Sequence, residues 1–192
     1  MMSGFSCAKL GLALTIQLVI AGAAYAGDIS VVSEIATRSA DFNNPAIPVT
    51  EALIVQSGNS DFASVDQQGG AVGAGNYSEI DQTGSFNRAI VSQNGDSNRS
   101  RINQSGSSNY ANITQSGSGN SIDLAQTGDA NLTATQIGDY NSILGNLTNQ
   151  NSMPATLSEI GNNNLINVNL SSPGLIVNIS IVGNGMSVTR TN

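Results

Sequence analysis

Through the middle of the chain, polar and apolar positions alternate in short runs, and the runs return about every eleven residues. In Asn109-Tyr110-Ala111-Asn112-Ile113-Thr114-Gln115 the odd positions are Asn, Ala, Ile and Gln, and the even ones Tyr, Asn and Thr. A period of two turns successive side chains to opposite faces and predicts a strand. The same inward set recurs as Asn76, Ser78, Ile80, Gln82, as Asn87, Ala89, Val91, Gln93, as Asn98, Ser100, Ile102, Gln104, and as Asn120, Ile122, Leu124, Gln126. Glu79, Asp81, Arg88, Arg99, Arg101 and Asp123 fall on the other face, where water solvates them, so one face is core and one is surface.

Between runs stands Gln-x-Gly-x-x-Asn, complete from Gln82, Gln93, Gln104, Gln115, Gln126 and Gln136. Its glycine offers positive φ, and small polar neighbours such as Ser105, Ser107 and Ser108 suit a turn. The predicted turn glycines are Gly58, Gly84, Gly95, Gly106, Gly117, Gly128 and Gly138. Each unit is then one strand plus one turn, and two units make a layer of about 22 residues. The predicted fold is all-β: a β-solenoid of strand-turn-strand layers.

Layers about 4.8 Å apart place Gln over Gln and Asn over Asn, as in a cross-β stack. An amide both donates and accepts, so such a ladder satisfies buried groups that would otherwise cost about 1–3 kcal/mol each. The candidate ladder and assembly residues are Gln56, Gln67, Gln82, Asn87, Gln93, Asn98, Gln104, Asn109, Gln115, Asn120, Gln126, Asn131, Gln136 and Asn141.

The Asn position falls at 50, 61, 76, 87, 98, 109, 120, 131, 141, 153, 164, 175 and 186, with Thr50, Asp61, Met153, Leu175 and Met186 in place of Asn. Steps are eleven except for a four-residue insertion near Gly70 to Gly75 and a ten-then-twelve pair around Asn141. That predicts thirteen strands, with Gln/Asn repeats over 50–144 and degenerate, more apolar repeats over 145–192. Leu170 and Ile181 stand at the Gln position, and Leu175, Val177, Ile179 and Ile181 form an apolar inward set, so the last layers are expected to be drier. Ile176 and Val182 also turn apolar groups outward, which offers a docking surface as an alternative to a plain final strand.

Residues 1–26 read as a signal peptide: Lys9 supplies charge, Leu10 to Ala21 the apolar stretch, and Ala24-Tyr25-Ala26 the cleavage site. The segment 27–49 is an unrepeated leader, in which Asn43-Asn44-Pro45 and Pro48 break any strand. Cleavage removes Cys7, the one cysteine, so the mature chain has neither disulfide nor thiol nucleophile. With no His as well, the common nucleophile and general-base arrangements lack members, and the expectation is a non-enzyme with no cofactor or metal. A net charge of −7 speaks against a nucleic-acid partner, which needs a positive footprint.

The stretch Gln104-Ser105-Gly106-Ser107-Ser108-Asn109-Tyr110-Ala111-Asn112-Ile113-Thr114-Gln115 resembles the curlin repeat, Gln-x-Gly-x-x-Asn-x-Ala-x-x-x-Gln, of bacterial curli fibre subunits. The likeness covers about Gln56 to Asn141 well and the remainder by spacing alone. It departs from the pattern where Ser100, Ile122, Thr133 and Ile143 replace Ala. The resemblance implies a secreted amyloid subunit of a Gram-negative bacterium, passed through an outer-membrane pore with periplasmic accessory proteins. It would polymerise with itself and a second curlin-type subunit into adhesive cell-surface biofilm fibres. The leader 27–49 is similar to the export-targeting segment of such subunits. Two alternatives stand beside this reading: a minor, surface-attached nucleator, and a monomeric β-solenoid adhesin whose ladders serve internal stability alone.

Overall fold

The structure is a computed structural model that describes residues 13–20, 29–30, 49–69, 74–171 and 173–192. Lys9, the Ala24-Tyr25-Ala26 cleavage site and the breaks at Asn43-Asn44-Pro45 and Pro48 lie outside the described residues. Among the described residues the chain is all-β, and its strands alternate between two parallel sheets. One sheet stacks β1 (Ala13–Ile20), β3 (Val49–Asn59), β5 (Tyr77–Ser85), β7 (Arg99–Ser107), β9 (Ser121–Thr127), β11 (Ser142–Thr148), β13 (Leu165–Leu170) and β15 (Ser187–Thr191). The other stacks β2 (Ile29–Ser30), β4 (Phe62–Gln68), β6 (Arg88–Asp96), β8 (Tyr110–Ser118), β10 (Asn131–Ile137), β12 (Pro154–Ile160) and β14 (Val177–Val182). Parallel strands cannot be joined by a tight hairpin within one sheet. Here each strand turns into the opposite sheet instead, and the coil advances one layer after two strands. This is the β-solenoid that the repeat predicts, and β3 to β15 are its thirteen repeat strands.

Register follows the repeat. Gln82 pairs with Gln104 and Gln93 with Gln115, each 22 residues apart, whereas Gln56 pairs with Gln82 across 26 because of the four-residue insertion. The core lies between the sheets, where Ile54, Ile80, Ile102, Ile113, Leu124, Leu132, Leu157 and Ile166 have almost no exposure. Burying a large aliphatic contributes roughly 1.5–3 kcal/mol. On the outer face, Arg88 stacks on Phe62 and Arg99 on Tyr77, each 4.6 Å above the ring centre. Arg101 binds Glu79 at 2.9 Å. Burial by itself would raise the Glu79 carboxyl, but the hydrogen bonds it accepts from Arg101 and Tyr77 outweigh this and hold it below its ordinary value.

Three details depart from the expectation. In β3 and β5 to β8 the strand runs through the motif glycine, as Gly84 pairs with Gly106 and Gly95 with Gly117, leaving turns as short as Phe86-Asn87, whereas β9 and β10 end just before Gly128 and Gly138. These glycines bend while staying paired: Gly84 has φ +128°, and a Cβ there would lie 1.9 Å from the Gly106 carbonyl oxygen. Secondly, the residue just before the Asn position is left-handed even when it is not glycine, as at Ser60, Phe86, Ser97, Ser108, Tyr140 and Asn163. A left-handed L-residue costs roughly 1–2 kcal/mol. Phe86 has φ +59° and is 66% exposed, and Gly119 takes the equivalent place at φ +67°. Phe86→Gly is therefore expected to raise stability by about 1 kcal/mol, read from the urea midpoint.

Thirdly, Asn131 does not face the core. Asn131 pairs with Tyr110, which sets Ala130 opposite Asn109, and Ala130 is buried while Asn131 lies half-buried on the outer face. The ten-residue step runs from Asn120 to Ala130, one repeat earlier than the motif spacing implies, because the Gln126 to Ala130 turn is one residue short. Side-chain alternation decides the matter, because Leu132, Ala134 and Gln136 can point inward together only if position 130 does so too. Leu132 rather than Thr133 thus fills the motif's Ala position.

Candidate functional site

The chemistry of this fold is concentrated in columns of amides that run along its axis. In the first sheet, Gln56 Nε2 donates to Gln82 Oε1 at 2.6 Å, Gln82 to Gln104 at 2.7 Å, and Gln104 to Gln126 at 2.8 Å. In the second, Gln67 donates to Gln93 at 2.7 Å, Gln93 to Gln115 at 2.8 Å, and Gln115 to Gln136 at 2.9 Å. The other proton of each Nε2 crosses to a backbone carbonyl of the facing sheet: Gln82 to Phe62, Gln93 to Tyr77, Gln104 to Arg88 and Gln115 to Arg99, all at 3.0 Å. Each glutamine therefore ties successive layers together and ties the two sheets to each other. No apolar side chain of the same volume can do this.

The Asn columns work in the opposite sense. The backbone N–H and Nδ2 of Asn98 both donate back to Asn76 Oδ1, at 3.0 and 3.2 Å, and Asn120 and Asn141 repeat this one and two layers on. Nδ2 also donates forward to a turn glycine carbonyl: Asn87 to Gly106 at 3.1 Å, Asn98 to Gly117 at 2.9 Å, and Asn120 to Gly138 at 2.7 Å. The asparagine thus pins the bend that its glycine makes possible. Gly58, Gly84, Gly95, Gly106, Gly117, Gly128 and Gly138 all have positive φ.

All the candidate ladder residues except Asn131 lie in these columns, joined by three residues that the repeat spacing had placed at the Asn position and by one, Glu159, that it had not singled out. Asn76 and Asn164 extend one Asn column, and Asp61 begins the other by accepting the Asn87 N–H at 2.9 Å. The second column ends at Ala130, whose N–H still donates to Asn109 Oδ1 at 3.2 Å. Glu159 continues the second Gln column, accepting from Gln136 Nε2 at 2.8 Å. Its position, 23 residues after Gln136, was the available signal. Burial pushes the Glu159 carboxyl up to about 7, against the lowering effect of hydrogen bonds from Gln136 and at the Ile166 backbone, and its Oε1 has no partner.

The last layers are accordingly less dry than expected, since Gln150, Glu159 and Asn164 remain buried among Leu147, Leu157, Leu170 and Ile181. Ile176 and Val182 do stand exposed, and Val182 follows Ile160 and Ile137 in register along the outer face.

Fold and columns together define a parallel β-solenoid of about 22 residues per turn, laced by side-chain amides. The family model of the curlin associated repeat matches residues 73–106 and 95–128, where these ladders are most complete, so this part of the chain is similar to curlin repeats. No curated protein and no solved structure matches the chain.

Proposed function

We propose that this chain is a non-enzymatic subunit of an extracellular curli-type amyloid fibre, which grows by templated strand addition and serves adhesion and the biofilm matrix. The observation that carries this reading is the direction of the bonds. Backbone pairing and both kinds of amide ladder run along the axis from layer to layer, so a strand arriving at an exposed end extends the same parallel backbone pairing that joins β5 to β7. Export as a signal-bearing precursor, through an outer-membrane pore with periplasmic accessory proteins, belongs to the same reading. In the structure β1 lies along the β3 edge, with Ala13 opposite Val49 and Ile20 opposite Gln56. Removing residues 1–26 frees that edge.

The minor, nucleating subunit is the second reading. It is favoured by the loss of ladder residues in the last layers, where Leu147 and Leu170 follow Gln126 in the first sheet. The test is fibre diffraction on the processed chain, diluted from denaturant and left to assemble at high concentration. Reflections near 4.7 and 10 Å are expected. A β-rich monomer that never assembles would favour the monomeric adhesin instead.

A further inference from the structure

The two ends of the solenoid are chemically unlike. At the β3 and β4 end, Gln56 Oε1 is buried and has no partner. Gln56, Gln82 and Gln104 each donate towards the C-terminal side, and Ile20 of β1, which stands opposite Gln56, has no side-chain donor, so a glutamine in the layer before β3 would supply the missing N–H. At the other end, β15 pairs Ile166 with Val188 and Val168 with Arg190. The aliphatic column Ile54, Ile80, Ile102, Leu124, Gly145, Val168 is thereby continued by a guanidinium. Val188, on the same face of β15, packs against the core, whereas Arg190 is exposed. In the second sheet, Ile181 follows Glu159 in the Gln column and has no proton to give a following glutamine.

We propose that Arg190 closes the β15 edge to strand addition, so that filaments containing this chain grow from its β3 edge, which removal of β1 opens, while β2 holds only Ala63 and Ser64 of the neighbouring β4 edge. That edge takes the last layer of another curlin-type chain, one with glutamine at both ladder positions and an aliphatic residue where this chain has Arg190. The proposal rests on the fibre-subunit reading. A strand laid on β15 in register would take the Arg190 guanidinium out of water. If that strand were β3 of a second copy, the residue meeting Arg190 would be Ile54, which offers neither charge nor acceptor. A buried charge without a partner carries a heavy desolvation penalty, and an inward-pointing charge is a known protection of sheet edges. Glutamines in the last layer of an incoming chain would instead supply the donor that Gln56 lacks and continue the column without a change of chemistry.

The test compares the processed wild-type chain with Arg190→Ile and Arg190→Lys, following labelled filaments by fluorescence microscopy. Arg190→Ile is expected to elongate at least tenfold faster than wild type, from both ends, while Arg190→Lys behaves as wild type. Wild-type chain added in small proportion to growing Arg190→Ile filaments is expected to arrest one end and leave the other growing. Equal elongation by wild type and Arg190→Ile, or rapid elongation by Arg190→Lys, would overturn the role of Arg190 and leave the fibre reading standing. Absence of cross-β filaments with either residue at 190 would overturn both.

Discussion

Replacing Gln104 with alanine is expected to destabilise the fold by about 2–5 kcal/mol and to slow fibre elongation, because it breaks a column at its middle. Gln104 is fully buried; it accepts from Gln82, donates to Gln126, and donates across the core to the Arg88 carbonyl. Its removal leaves Gln126 Oε1 without its donor and Gln82 with one acceptor fewer, in a place that water does not reach. Each buried group left unmade costs about 1–3 kcal/mol, and the void adds to this. Gln104→Leu should be nearly as damaging, since it restores volume but no hydrogen bond. Thr114→Ala, on the exposed face of β8, is the matched control and should change little. Urea midpoints give the stability and seeded elongation gives the assembly rate. If Gln104→Ala and Thr114→Ala proved alike in both, the ladders would not be what holds the layers.

The second large effect is a dependence on pH set by one carboxyl. Glu159 is buried at the end of the Gln67 to Gln136 column, and burial raises it from an ordinary 4.5 to about 7. Between those two values the folded chain keeps a proton that the unfolded chain releases. The stabilisation is therefore complete below about pH 4.5 and is lost as pH rises through about 7. At 1.36 kcal/mol for each tenfold change in proton activity, the loss is on the order of 3 kcal/mol. Glu159→Gln should abolish this dependence and be the more stable chain at pH 8. Its new amide can donate to the Ser142 carbonyl, because Gln136 donates to Ser121 and the pairs Gln136–Glu159 and Ser121–Ser142 are in register. Denaturation midpoints of both chains at pH 5 and pH 8 decide it. A wild-type midpoint no lower at pH 8 than at pH 5 would count against the buried acid.

These two positions mark how far the site is legible in the sequence. Gln104 announces itself, because an amide fixed in phase with five other copies of one motif has few roles other than a ladder. Glu159 does not, because the motif around it has dissolved and only its place in the register reveals it. The same holds for Arg190, which reads as a lone surface charge until β15 aligns it with Val168. Asn131 shows the converse error: the motif spacing pointed to it, yet a one-residue deletion in the preceding turn gives its place to Ala130.

The sequence by itself determined the class of fold, the layer length, the number of repeat strands and, outside β10, which face of the regular Gln/Asn strands is buried. Those properties follow from side-chain alternation and from a repeat of fixed period, both of which are local. Only the tertiary structure decided where a slipped turn resets the register, which non-glycine residues accept a left-handed conformation, and which charges stand in the core columns. Those depend on what lies one layer above and below, about 22 residues away along the chain. Parallel pairing makes a single inserted or deleted residue reassign every contact of that strand.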